Sequence, residues 1–210
     1  MEVESIKEYE KFGKIRIQRG VWPFRRLIDP SEEMEMEVER FLKKEKNRFN
    51  SIVQNTFDVD MDSAQKYEFY FVPSRVRRVS QDATVFRTNA SATLLYLKAN
   101  SLIYFETEYL FAINKGCGSS GDMLFYGGKD YALEEIYFNK ITTVGAYHKE
   151  EMISIVSPGC SSSEARHTVS EDGFTIRAGE NFKVLASEKY RSELNDARAA
   201  INNKISQINK

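Results

Sequence analysis

The chain has 210 residues, with 30 lysines and arginines against 31 aspartates and glutamates, and a formal net charge of −1. Hydrophobic residues make up 41% and charged residues 29%, which is enough apolar material for a core and too balanced a charge for a global pull towards nucleic acid or an anionic membrane. No run of about eighteen apolar residues is present, and the charged start M-E-V-E-S-I-K-E-Y-E lacks an apolar signal core. Two cysteines, Cys117 and Cys160, are too few for a disulfide scaffold, so a cytoplasmic protein with free thiols is expected, a Cys117–Cys160 bridge being the alternative.

In chain order, Ile15 and Ile17 alternate with Arg16 and Gln18 and predict a short strand, broken by Gly20 and Pro23 around Trp22. This is the most basic and aromatic stretch of the chain. Arg16, Arg19, Arg25 and Arg26 beside Trp22 and Phe24 form a candidate binding patch for a phosphate backbone or lipid headgroups. The competing reading is an arm whose Trp22 and Phe24 dock on the domain while the arginines stay solvated. Asp29-Pro30-Ser31 then signals a helix start, and an apolar stripe of Met34, Val38, Phe41, Leu42, Phe49, Ile52 and Val53 predicts a helix over 32–55. Glu32, Glu33, Glu35, Glu37 and Glu39 in its first half, and Lys43, Lys44, Lys46 and Arg48 in its second, complement the helix dipole and read as a solvated face. The stripe needs a cover, either this chain's own sheet or a second chain.

Asp58, Asp60 and Asp62 have the spacing that opens a calcium loop, but Ser63 and Phe69 stand where glycine and glutamate are required. A strand over 66–72 ends at Pro73, followed by Arg75, Arg77 and Arg78, which extend the basic patch or edge an extended segment. The runs 92–98 and 101–113 flank Ala99-Asn100 as a hairpin. The first is apolar on both faces, so both should be covered, one by the barrel interior and one by the N-terminal helix. The second is too long for a straight strand in a small domain, and a bend is expected at Glu106-Thr107-Glu108. The loop 115–121 is glycine-rich but leads into a strand rather than a helix, unlike a phosphate-binding loop. Gly127-Gly128 reads as the next turn.

In E-E-I-Y-F-N-K-I-T-T-V (134–144), Ile136 and Phe138 share a face, but Ile141 and Val144 break the alternation. Asn139-Lys140 must re-aim the chain there, as at a corner between sheets. Another strand lies within 149–156, and the Ser-rich stretch 157–172 reads as a mobile polar loop. Phe174/Ile176 and Phe182/Val184 then form a last hairpin across 179–181, and Ser187 caps a helix striped by Tyr190, Leu194, Ala197, Ile201, Ile205 and Ile208. The predicted division is an N-terminal arm and helix over 1–65 and a β-rich domain over 66–210.

Chemistry is sparse. The two cysteines with His148 or His167, the only histidines, match no known nucleophile arrangement, and Cys160 with His167 falls short of a closed zinc site. No catalytic, cofactor-binding or metal residues are assigned, and no cofactor is expected.

The order of strands ending in one helix resembles pleckstrin-homology-like (PH-like) domains, including bacterial ones, in which two roughly orthogonal sheets are closed by a C-terminal helix. S-L-I-Y-F at 101–105, the corner segment at 134–144 and G-F-T-I-R-A-G at 173–179 are also similar to an uncharacterised group of bacterial proteins. The resemblance covers about residues 83–210. It implies an α+β protein: a PH-like antiparallel β-barrel or sandwich with a C-terminal amphipathic helix, preceded by an N-terminal helical arm. Phosphoinositide-binding members carry a basic motif in the first strands, whereas Y-L-K-A-N-S-L here offers only Lys98. The resemblance therefore implies a non-enzymatic binding or assembly scaffold. The expected interface is an apolar helix stripe (Leu194, Ile201, Ile205, Ile208) or a sheet edge that takes a protein partner or a second copy. Anionic lipid or nucleic acid at the arginine patch is the alternative, and a cysteine enzyme the third.

Overall fold

The computed structural model describes residues 14–16, 30–57, 64–72, 77–78, 85–114, 122–156 and 164–208. Its strands are β1 (Lys14–Arg16), β2 (Gln65–Phe71), β3 (Arg77–Arg78), β4 (Val85–Leu97), β5 (Ser101–Asn114), β6 (Asp122–Tyr137), β7 (Thr143–Val156), β8 (Glu164–Ala178) and β9 (Glu180–Ala186). The α-helices are α1 (Pro30–Phe57) and α2 (Arg191–Ile208), the latter preceded by a 3-10 turn at Glu188–Tyr190. All strand pairs are antiparallel, in two sheets. The first has the order β1-β6-β5-β4-β2, with β3 pairing the far half of β4, and the second the order β7-β8-β9.

The molecule is an α+β sandwich in three layers. β4 and β5 are apolar on both faces because both are covered. Leu94, Tyr96, Ile103, Phe105 and Tyr109 meet Leu42, Phe49 and Val53 of α1 on the outer face. Leu95, Leu97, Leu102 and Tyr104 meet Phe174, Ile176 and Val184 of the second sheet on the inner face, together with Leu194, Ala197 and Ile201 of α2. The cover for the α1 stripe is thus the chain's own first sheet. Burying each of its three large apolar side chains contributes about 1.5–3 kcal/mol.

Polar contacts hold α1 in register. Lys66 and the Tyr96 hydroxyl both donate to Asn50 Oδ1, at 2.7 and 2.8 Å. Lys46 and Lys66 flank the Glu68 carboxylate at 2.9 and 2.7 Å. Burial alone would raise the Glu68 carboxyl, but the two ammonium groups hold it below the usual range. Glu39 is itself buried, and takes Lys43 at 2.8 Å, the Tyr190 hydroxyl at 2.9 Å and Lys189.

Two expectations are met in detail. Ala99-Asn100 turns the β4–β5 hairpin, closed by Lys98 N–H donating to Ser101 O at 2.8 Å. Near the segment 106–108, where the sequence predicts a bend, β5 is one unbroken strand and the ladder shifts register between Thr107 and Tyr109, two steps along β5 matching four along β6. At the corner, Phe138–Lys140 is a single 3-10 turn, with Phe138 N–H donating to Asn100 O and Thr142 N–H to Arg177 O, so the chain leaves one sheet's last strand and enters the other's first.

Others are corrected. The sheets do not close into a barrel: β2 and β9 approach at one corner, where Ser187 N–H donates to Tyr70 O at 3.1 Å, but no ladder joins them. The strand β9 ends there, at Ala186, and the chain turns away into α2. Gly127-Gly128 is no turn but lies within β6 at the register shift, where extra residues are accommodated as a bulge. The polar stretch expected to be a loop is strand from Glu164 onwards, paired to β7 from Val156↔Glu164 to Thr143↔Arg177. Ser187 precedes the last helix without capping it, since its Oγ accepts from Val72 N–H at 3.1 Å.

Candidate functional site

Two surfaces stand out among the described residues. The first is a cleft of about 440 Å³ where the β7–β8 hairpin extends past the core and faces the ends of β2 and β9. His148 and Asp172 sit directly opposite each other in the β7–β8 ladder. By alternation they share a face with Phe174 and Ile176, continued beyond the reach of the first sheet, so polar side chains replace apolar ones there. The distance from His148 Nδ1 to Asp172 Oδ1 is 2.7 Å, and Glu150 Oε1 lies 3.4 Å from Nε2. Arg191, the first residue of α2, reaches the other Asp172 oxygen at 3.5 Å. The hydrogen bond that His148 donates to the Asp172 carboxylate raises the His148 pKa, and Glu150 adds to it. Lys189 also lines the cleft but is drawn to Glu39. Among the described residues no group of three or more His, Cys, Asp or Glu is placed to hold a metal ion.

The second surface is the outer edge of β6. β1 pairs it only at Asp122, Met123 and Leu124. Along 125–137 its outer backbone groups have no strand partner among the described residues. Tyr131 and Tyr137 are 47% and 53% exposed on this strand, while Ile136 is buried. The Tyr131 ring lies 5.5 Å from that of Phe105 and extends the apolar outer face past α1. A smaller cleft of about 270 Å³ opens beside Tyr137, lined by Glu134, Lys140, Glu180 and Phe182. Together these make a strip of aromatic surface along an open ladder.

Of the arginine patch, Arg16 falls in β1 at the β6 edge, whereas Arg19, Trp22, Arg25 and Arg26 lie outside the described residues. So do Asp58, Asp60, Asp62, Cys117, Cys160 and the loop 115–121. Lys98, the one cation of the β4–β5 hairpin turn, is paired to Glu135 at 2.9 Å. In α2, Leu194 and Ile201 are buried in the chain's own core, Ile205 packs at its margin, and Ile208 is 39% exposed. Only the last of these four residues is substantially presented to solvent.

Sequence reasoning did not single out His148–Asp172, Tyr131 or Tyr137. The β7–β8 register that unites His148 with Asp172 spans a polar strand with no apolar alternation to announce it. The tyrosines were separated from the rest of their strand by the glycine pair read as a turn. No helix among the described residues is long and apolar enough to cross a membrane. Comparison with family models, with curated proteins and with solved structures returned no match.

Proposed function

We propose that this chain is a non-enzymatic binding protein of PH-like fold that takes up an extended strand, from a protein partner or a second copy, at the open edge of β6. Supporting the fold reading, β2, β4, β5 and β6 form one consecutive antiparallel meander and β7–β9 a second, and α2 packs across the end of the core between them. The observation that carries the binding reading is the edge itself, unpaired along 125–137 among the described residues and bearing two exposed tyrosines. Unpaired strand groups template the addition of another strand. Tyrosine supplies large contact area with a polar tip, which suits an interface. A second copy would pair β6 with β6 about a two-fold axis.

The test is light scattering on the full chain over a range of concentrations, followed by capture from native lysate, comparing the wild type with Tyr131→Lys/Tyr137→Lys. Lysine on an edge strand opposes strand addition. The expected result is loss of self-association, or at least about tenfold weaker capture, which corresponds to about 1.4 kcal/mol, with the melting temperature unchanged. A monomeric wild type that captures the same proteins as the variant, at the same level, would overturn the reading.

A further inference from the structure

Tyr104 is fully buried between the sheets, and its hydroxyl lies 2.6 Å from Glu106 Oε2 and 2.7 Å from the backbone oxygen of Lys183. A phenol has one proton to donate. A peptide oxygen and an ionised carboxylate are both acceptors, so with Glu106 charged one of these two short contacts would have no hydrogen in it. We infer that Glu106 is protonated in the folded protein and donates to Tyr104, which donates in turn to the Lys183 carbonyl, so that a single proton latches β5 of the first sheet to β9 of the second. In that arrangement every short oxygen–oxygen contact contains a hydrogen.

The surroundings agree. Glu106 is largely withdrawn from solvent, and burial is the foremost cause raising its carboxyl above the usual range. Glu108, on the same strand, adds to the rise. The Tyr104 hydroxyl, if it donates to the carboxylate, is the main opposing influence, and burial outweighs it. Lys183 opposes the rise more weakly, its ammonium donating to Glu171 at 3.0 Å and lying 4.2 Å over the Tyr147 ring. Across the ladder on one side is Ala132, which brings no charge. On the other is Thr93, fully buried, whose hydroxyl makes no hydrogen bond and so gives nothing to a carboxylate. Ionising Glu106 would draw the Tyr104 proton to the carboxylate and break the link to Lys183, a direct polar tie between these two strands.

The inference is tested on the full chain by following the Glu106 side-chain carboxyl by carbon NMR as pH is raised. A titration midpoint above the ordinary glutamate value of about 4.3 is expected, and one at or below it would mean that Tyr104 donates to a carboxylate. A second reading uses Glu106→Gln, whose amide keeps the donor and cannot ionise. A group whose folded pKa exceeds its unfolded value contributes stability that is fully present below the unfolded value and is lost as pH rises through the folded one. The wild type should therefore lose melting temperature relative to Glu106→Gln as pH rises through the measured midpoint, the curves running parallel at higher pH. Curves that stay parallel through the midpoint would equally overturn the latch.

Discussion

Asn50 shows how much one side-chain oxygen can organise. It receives Lys66 and the Tyr96 hydroxyl together, and Tyr96 is wholly buried under α1. Asn50→Ala would leave that hydroxyl unsatisfied in the core, at a cost of about 1–3 kcal/mol; chemical denaturation should show the loss as a lower midpoint with an unchanged slope. Gly173 is a different case, because its constraint is space. A Cβ there would meet the Val184 backbone oxygen at 1.9 Å, and a neighbouring strand cannot step aside as a flexible side chain can. Gly173→Ala should destabilise by at least the ~1–3 kcal/mol typical of overpacking, read as a fall in melting temperature. At this scale the sequence is least legible. Glu39 looked like one of five solvated glutamates, yet it is buried. The signal was present in phase: Glu39, Leu42, Lys46, Phe49 and Val53 follow one another at steps of three and four, so the stripe facing the sheet contains two charged members, each with a partner waiting.

Elements were more legible where they carry apolar residues on a fixed period. The two-faced β4 and the corner after β6 were each announced by a break or doubling of that period. Strand β8 was not, because the sequence of its first half, E-A-R-H-T-V-S, is mostly polar and leaves hydrophobic alternation little to report. Gly127-Gly128 misled for the opposite reason: a glycine pair can relax a strand as readily as end it. For α2 the apolar stripe was legible as the face that lies across the end of the sheets. Leu194, Ala197 and Ile201 close the end of the sandwich. Accordingly Ile201→Ala should cost about 2–5 kcal/mol. Ile208→Ala should stay within about 0.5 kcal/mol of the wild type. Equilibrium unfolding of both variants checks the pair, and similar losses in the two would mean that the helix is anchored along its whole length.

The whole molecule is tied together across a long span of sequence. Glu39 in the first helix meets Lys189 and Tyr190 just before the last, across 150 and 151 positions of chain. A protein made from its N-terminus therefore produces α1 long before the surface that covers it exists. The helix must carry Leu42, Phe49 and Val53 uncovered while β4 and β5 are assembled, and its final polar tie must wait until Lys189 and Tyr190, 150 and 151 residues further on, have been made. Such non-local closure slows folding, towards the millisecond-to-second range of sheet-rich domains. It also leaves an apolar helix exposed during synthesis, the circumstance in which nascent chains aggregate or engage chaperones.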